Sequence, residues 1–328
     1  MKPYSPPFKL THNMMRLVAD ISGSIGKWTA VNQGLLVPKL RKENRIRTIQ
    51  ASLAVEQNTL TFEQVTAVVD GKHVLGTPKE IQEVQNAFVA YEAMEHFEPA
   101  NIDDLLSAHK LLLYGLIPDA GNWRSGGAGI YRGDQLVHMA PPANQVPRLI
   151  AQLTQWLATS EAHPLIASSA FHYEFEFIHP FSDGNGRMGR LWQTLILSQW
   201  QPILAYLPVE TVIKAKQDEY YKAFRHADAT SDCSLFIEFL LDAINTALDE
   251  AISSSEITLV QTRVQTRVKT PEKILQLLRI NPELSLLDIA NHLGKALSTI
   301  ERAVVKLQQQ NKLIFEGAKK DGRWKVLD

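Results

Sequence analysis

Hydrophobic positions along most of this chain recur every three or four residues, the spacing of one face of a helix. Met15, Leu17, Val18 and Ile21 follow Thr11, which can cap them, and the Gly-Ser-Ile-Gly of 23–26 reads as the end of that helix. Further helical patterns cover 44–57, 61–68, 78–95 and 101–114, then 144–159, 163–177, 186–199, 208–228 and 232–250. The texture changes at 121–142, GNWRSGGAGIYRGDQLVHMAPP, where glycines and β-formers surround Gly133-Asp134. That stretch predicts one short β-hairpin protruding from a helical body.

Residues 251–270 are polar and semi-repetitive, with QTRV at 261–264 and again at 265–268, and read as a polar or helical linker. Beyond it come three helical patterns, 272–279, 285–293 and 298–310, then a hairpin-like tail, LIFEGAKKDGRWKVL. Ser285-x-x-Asp288 and Ser298-x-x-Glu301 have capping-box spacing and mark the second and third helix starts. This is the plan of a winged helix-turn-helix. Ile300, Val304 and Leu307 form the buried stripe of its third helix, leaving Thr299, Arg302 and Lys306 outside, with Lys319, Lys320 and Arg323 on the wing.

Composition narrows the class. With 328 residues, 45% hydrophobic and 21% charged, the chain is long enough for one large domain and a smaller one. A formal net charge of −1 gives no global attraction to nucleic acid or anionic membrane. No apolar run approaches membrane-spanning length, and the first fifteen residues lack the apolar core of a signal peptide. Cys233 is the one cysteine, which excludes an intrachain disulfide and fits a reducing compartment. A cytoplasmic enzyme or regulator is the expectation.

One stretch does not read as packing. HPFSDGNGRMGR, residues 179–190, lies between two apolar helical segments, one carrying Leu165, Phe171, Phe175 and Ile178, the other Met188, Leu191 and Leu195. A helix start at about Gly186 leaves backbone N–H groups unpaired and positive, ready for an anion. Gly184 and Gly186 let the backbone come close to that anion. Arg187 and Arg190, three apart, share a face of the first turn, and guanidinium groups grip phosphate oxygens as a fork. Asp183 offers a hard oxygen to Mg²⁺ bridging phosphates, and His179 can take a proton from a hydroxyl. Together these make a polyphosphate cradle with a metal ligand and a base, without the Gly-Lys-Ser/Thr of a P-loop.

The stretch resembles the Fic family motif H-x-F-x-(D/E)-G-N-G-R-x-x-R, matched at His179, Phe181, Asp183, Gly184, Asn185, Gly186, Arg187 and Arg190. Similarity extends over roughly 100–250, through the preceding helix, the Gly-rich hairpin and EYYKAFRHAD at 219–228. The resemblance implies transfer of AMP from ATP to a Ser, Thr or Tyr hydroxyl of a protein. It implies His179 as general base, Asp183 as Mg²⁺ ligand, and the loop amides with Asn185 and Arg187 on the phosphates. Phe181 would be a core anchor, and Arg190 would serve the far phosphates. Tyr220 and Asp228 match positions near the adenosine. The hairpin would be a flap that adds a target segment as a strand, with Val137 and His138 nearest the nucleotide.

Upstream, SLAVEQN at 52–58 places Ser52 and Glu56 four apart on one helix face. This resembles the family's inhibitory motif (S/T)-x-x-x-E-(G/N), whose Glu pairs with the second motif arginine, here Arg190. Position 57 departs from the pattern, being Gln57. The resemblance thus implies a mainly α fold: a Fic helical core (99–250) with a short β-hairpin flap, preceded by a helical region carrying the inhibitory helix (1–98). A linker (251–270) and a winged helix-turn-helix (271–328) follow. ATP with Mg²⁺ and a protein hydroxyl are the implied partners, self-modification and a homodimer are further candidates, and DNA is a candidate for the winged helix. Rival readings are a transcriptional regulator whose Fic-like body senses nucleotide, and a Fic enzyme that removes AMP.

Overall fold

In the computed structural model, the two apolar segments around the motif form α7 (Pro164–Ile178) and α8 (Asn185–Trp200), packed on each other. Described here are residues 4–32, 38–132, 135–267, 270–310, 312–317 and 322–327, without the side chains of 30–32, 38–40, 131–132, 135–137, 254–267 and 280. Nearly every residue of α7 is buried, as expected of a helix apolar on all faces. It can be so because two clusters meet on it. On one side Phe171, Phe175 and Ile178 join Met188, Leu191 and Trp192 of α8, together with Ile46, Ile49 and Leu53 of α2 (Pro38–Val55). Residues of α3 (Phe62–Val69), α4 (Pro78–Ala93), α5 (Ile102–Leu112) and α6 (Val146–Thr159) complete that side. On the other side Leu165, Ala170 and Tyr173 pack with α1 (His12–Asn32), α9 (Val209–Ala215), α10 (Gln217–Thr230) and the buried part of α11 (Ser234–Arg267).

Local signals explain most helix starts. Thr61 with Gln64, and Thr77 with Glu80, form reciprocal capping boxes at α3 and α4. Thr11 Oγ1 accepts from the Met14 N–H, as the sequence predicts. Two expectations need correction. The first helix does not stop at Gly23–Gly26 but continues to Asn32, because Ile25 and Trp28 carry the buried stripe past two glycines that meet nothing. The 208–228 pattern is two helices, broken at Lys216 (φ −106°, ψ 32°), and the second aims Tyr220 and Phe224 into the core. Of the two forms open for the linker, polar coil or helix, α11 takes the second, running as far as Arg267.

Strands β1 (Gly129–Arg132) and β2 (Gln135–Met139) pair antiparallel, Ile130 opposite His138, with a bulge between Ile130 and Tyr131. The Gly133-Asp134 turn and the side chain of Val137 lie outside the described residues. Among the described residues no helix is long and apolar enough to cross a membrane.

The chain divides into two compact units, Met1–Ile252 and Ser253–Asp328. In the second, α12 (Thr270–Ile280), α13 (Leu286–Leu293) and α14 (Leu297–Gln309) enclose Ile274, Leu278, Ile289, Ile300, Val304 and Leu307. Strands β3 (Leu313–Glu316) and β4 (Arg323–Val326) pair antiparallel, and Trp324 donates from its ring to the Leu284 carbonyl. Ser285 and Asp288 form the expected capping box. Ser298 does not cap: Ala296 turns the chain first, and α14 has begun at Leu297. Arg302 and Lys306 are exposed on α14, whereas Lys319 and Lys320 lie outside the described residues.

Candidate active site

The link between α7 and α8 is short and heavily braced. His179 closes α7 in the left-handed region (φ 49°, ψ 61°), its N–H donating to the Phe175 carbonyl at 2.9 Å. Gly184 takes φ 81° just before α8, and a Cβ there would strike Leu113. Between them the Phe181 ring is fully buried, stacked on His109 with centroids 3.6 Å apart. The Asn185 carboxamide accepts from the Phe181 N–H and donates to the Phe181 carbonyl, both at 2.9 Å. Asn185 therefore turns its side chain into the loop, and what it holds toward an anion is its backbone N–H. The N–H groups of Asn185, Gly186 and Arg187, in the first turn, have no helical carbonyl to bond, as at any helix start.

Two further residues, His109 and Arg124, hold this link, and neither belongs to a motif legible along the chain. Gly121 donates to His109 Nδ1 (2.9 Å), so His109 Nε2 carries the hydrogen and donates to the Asp183 carbonyl (3.0 Å). Burial pushes the His109 pKa down to about 4, keeping it neutral. Arg124, buried within the glycine-rich stretch, donates from Nε to the His179 carbonyl (2.7 Å) and from Nη2 to Ile178 (3.3 Å) and Pro141. Its Nη1 donates to the Gly126 carbonyl (2.7 Å) and its backbone N–H to Pro180 (3.0 Å). One guanidinium thus satisfies the carbonyl end of α7 and ties it to the base of the hairpin.

His179 shares a cavity of about 300 Å³ with Asp119, Arg124, Ser125, Gly126 and Ser182. Its Nδ1 is buried without a hydrogen bond, 3.9 Å from the Glu176 carboxylate, which leaves Nε2 for the cavity. Burial holds the His179 pKa down at about 4, so the ring is an unprotonated acceptor at neutral pH. Glu176 is itself pushed up to about 8 by burial, although Arg190 draws it down.

The two arginines differ. Arg187 bonds Asp183 Oδ1 (2.9 Å) and Glu83 Oε1 (3.3 Å), leaving its buried Nε without a partner. Glu83 in turn accepts from Asn58 Nδ2 at 2.9 Å. Arg190, 2% exposed, donates from Nε to Ser52 Oγ and from Nη2 to the Ser52 carbonyl, both at 3.0 Å. The same Nη2 reaches Glu56 Oε1 at 2.7 Å. Burial works to lower the Arg190 pKa, but Glu56, with Tyr220 and Glu176, outweighs it and holds it above its ordinary value. The Glu56 carboxylate rests over the first turn of α8, where a Cβ at Gly186 would collide with it.

Glu56 holds this position because α2 ends just before it. Asn58 N–H bonds the Leu53 carbonyl and Gln57 N–H the Ala54 carbonyl, the double closure of a Schellman motif. That motif needs a left-handed residue, and Gln57 supplies it at φ 71°.

Three more of the expected residues lie in the surrounding walls. His138 is buried with Nε2 2.9 Å from the Phe177 carbonyl and Nδ1 3.0 Å from Asp228 Oδ2, which pins β2 to α7 and α10. Tyr220, also buried, bonds His172 Nε2 at 3.1 Å. These three tie β2, α7 and α10 to one another. Asp183, half-exposed, can give a cation one carboxylate, and among the described residues no cluster of three or more metal-binding side chains occurs. That donor set suits an ion carried by phosphates and does not make a protein-built cage.

Residues 99–197 match the Fic/DOC family. The crystal structure of a Fic family protein from Desulfovibrio desulfuricans G20 superposes with a TM-score of 0.82 and is 48% identical, covering 99% of this chain and 98% of that one. The chain belongs to the Fic family. Relatives named protein adenylyltransferase Fic include that of Nematostella vectensis, 26% identical over 66% of this chain and 51% of its own length. That of Culex quinquefasciatus is 27% identical over 67% of this chain and 44% of its own length. The chain thus spans about half the length of the curated relatives it matches. Fic-1 from C. elegans, 21% identical with a TM-score of 0.61 over 75% of this chain and 73% of that one, shares the fold. The 179–190 link is therefore a Fic loop in a Fic helical body, and Arg124 and His109 are the braces this Fic chain places behind it.

Proposed function

We propose that this Fic protein transfers AMP from ATP to a hydroxyl of Ser, Thr or Tyr on a protein, and that Glu56 holds the reaction down. The hydroxyl oxygen attacks the α-phosphorus, the bond to pyrophosphate breaks, and the proton passes to His179 Nε2. The first-turn amides of α8, Arg187 and Arg190 then meet the charge along the triphosphate. Mg²⁺ held through Asp183 would neutralise part of that charge. The β1–β2 hairpin, tied by Arg124 to the His179 carbonyl, would register the target segment as an added strand. The names of the relatives support the same activity.

The observation that carries the reading is the Glu56 carboxylate lying between Arg190 and the open helix start, where the outer phosphates would seat. A charge-assisted hydrogen bond contributes roughly 1.5–3 kcal/mol, so its loss corresponds to about ten- to a hundredfold in rate. Incubation with ATP labelled at the α-phosphate tests this directly. Glu56→Gly should raise protein labelling by that factor, and His179→Ala should abolish it in either background. Equal labelling with and without Glu56 would refute the inhibition, and labelling that survives His179→Ala would refute the transfer.

A further inference from the structure

A second cavity, of about 380 Å³, opens between the first half of α2, the end of α4, α8 and the 3-10 turn of Pro202–Tyr206. That volume is within the range of small-molecule sites. Two cations line it. Arg45 lies between two aromatic rings, its guanidinium carbon 5.1 Å from the Tyr91 centroid and 5.0 Å from that of Tyr206. Arg41, one turn earlier, lies 5.4 Å from the same Tyr206 ring, so the two charges sit close together. Arg45 is 6% exposed, and its one hydrogen bond goes from Nη1 to the Ala205 carbonyl. Its Nε is buried without a hydrogen bond, and so is that of Arg41, which pairs with no acid among the described residues.

Among the described residues Glu92 is the acid within ion-pair reach of either, 3.8 Å from Arg45 Nε with its own side chain 59% exposed; Glu95, which also lines the cavity, is 79% exposed and faces His96 at 3.7 Å. Both carboxylates of the lining stand largely in solvent, so the buried Arg45 guanidinium and its neighbour Arg41 are poorly compensated on the inner side of the cavity. The remaining wall is mixed, with Met94, Phe97 and Leu195 beside Ser198 and Gln199. Two oxygens of a phosphate or carboxylate would be gripped by the paired forks, and a flat apolar body would stack beside Tyr206.

We propose that this cavity binds a small organic oxyanion, a phosphate or carboxylate on a flat apolar body, separately from the nucleotide site. Because α2 carries Arg41 and Arg45 at one end and Ser52 at the other, with Glu56 just beyond, such a ligand pins the inhibitory helix in its docked position. Linkage then requires that loosening Glu56 weaken the ligand.

Calorimetry with phenyl phosphate tests this on the full chain carrying His179→Ala, with ATP at saturation, so the readout does not depend on AMP transfer. Saturable binding with a Kd below about 1 mM is expected, weakened roughly tenfold or more by Arg41→Gln, a half-buried position that tolerates change. Phenol, lacking the anion, should bind at least about tenfold more weakly. Absence of saturation, displacement by ATP, or an unchanged affinity in Arg41→Gln would overturn the site. An added Glu56→Gly should weaken phenyl phosphate severalfold, and an unchanged affinity there would overturn its link to the helix.

Discussion

Glu56 and Arg190 stand 134 positions apart in the chain and share a hydrogen bond of 2.7 Å. Ser52 holds the same guanidinium through its hydroxyl and its carbonyl, so the arginine is oriented before the carboxylate reaches it. Ser52→Ala removes the hydroxyl and leaves the carbonyl. The expected effect is partial release: labelling from ATP rises about fivefold to tenfold, less than with Glu56→Gly. A rise equal to that of Glu56→Gly would mean that the hydroxyl, not the carboxylate, is the restraint.

Gln57 closes α2 at φ 71°, where a side chain costs about 1 kcal/mol and glycine nothing comparable. Gln57→Gly should therefore stabilise the larger unit by about 0.5–1 kcal/mol and raise its melting temperature by about 1–3 °C in scanning calorimetry. The same change should lower basal labelling, since the carboxylate is presented from a firmer end. A fall in melting temperature would show that Gln57 has interactions that outweigh its backbone strain.

Arg124 holds the His179, Ile178 and Pro141 carbonyls with one planar fork. Arg124→Lys keeps the charge and loses the fork. In the Glu56→Gly background, kcat should fall about tenfold or more while the KM for ATP stays nearly constant, because the base and hairpin drift but the α8 amides do not. Matched losses in kcat and KM would point instead to a collapsed nucleotide site.

Glu176 is a buried acid pushed up to about 8 from 4.5. Between these values the folded chain holds a proton that the unfolded chain has released, so this group's contribution to stability falls as pH rises through that window. Glu176→Gln removes the effect. The stability of the variant relative to the parent should grow by about 1.4 kcal/mol per pH unit between pH 5 and pH 8, read by urea denaturation at each pH. A constant difference would show that Glu176 is already ionised when folded.

Much of this was legible along the chain. The apolar periodicity that brackets residues 179–190 is strong because α7 and α8 are buried on nearly every face. The i,i+4 spacing of Ser52 and Glu56 placed both on one side of a helix, and in the fold both meet Arg190. Arg124 and His109 were not legible for a definite reason. They act on main-chain carbonyls 55 and 74 positions away, and a carbonyl acceptor leaves no mark on residue type. The resemblance of the hairpin to a flap put His138 beside the nucleotide, and residue type alone did not show what its ring would bond. In the fold that ring meets the Phe177 carbonyl and Asp228, acceptors 39 and 90 positions away. The length of α1 was missed because glycine weakens a helix by only about 1 kcal/mol, less than the burial of Ile25 and Trp28 returns.

Glu56, which we propose restrains Arg190, is part of the same chain as the arginine it bonds. A tethered group acts at an effective concentration of millimolar order, fixed by the intervening chain and indifferent to how many molecules surround it. Dilution of the protein would then leave the idle state intact, and only an event that moves the end of α2 would set it working.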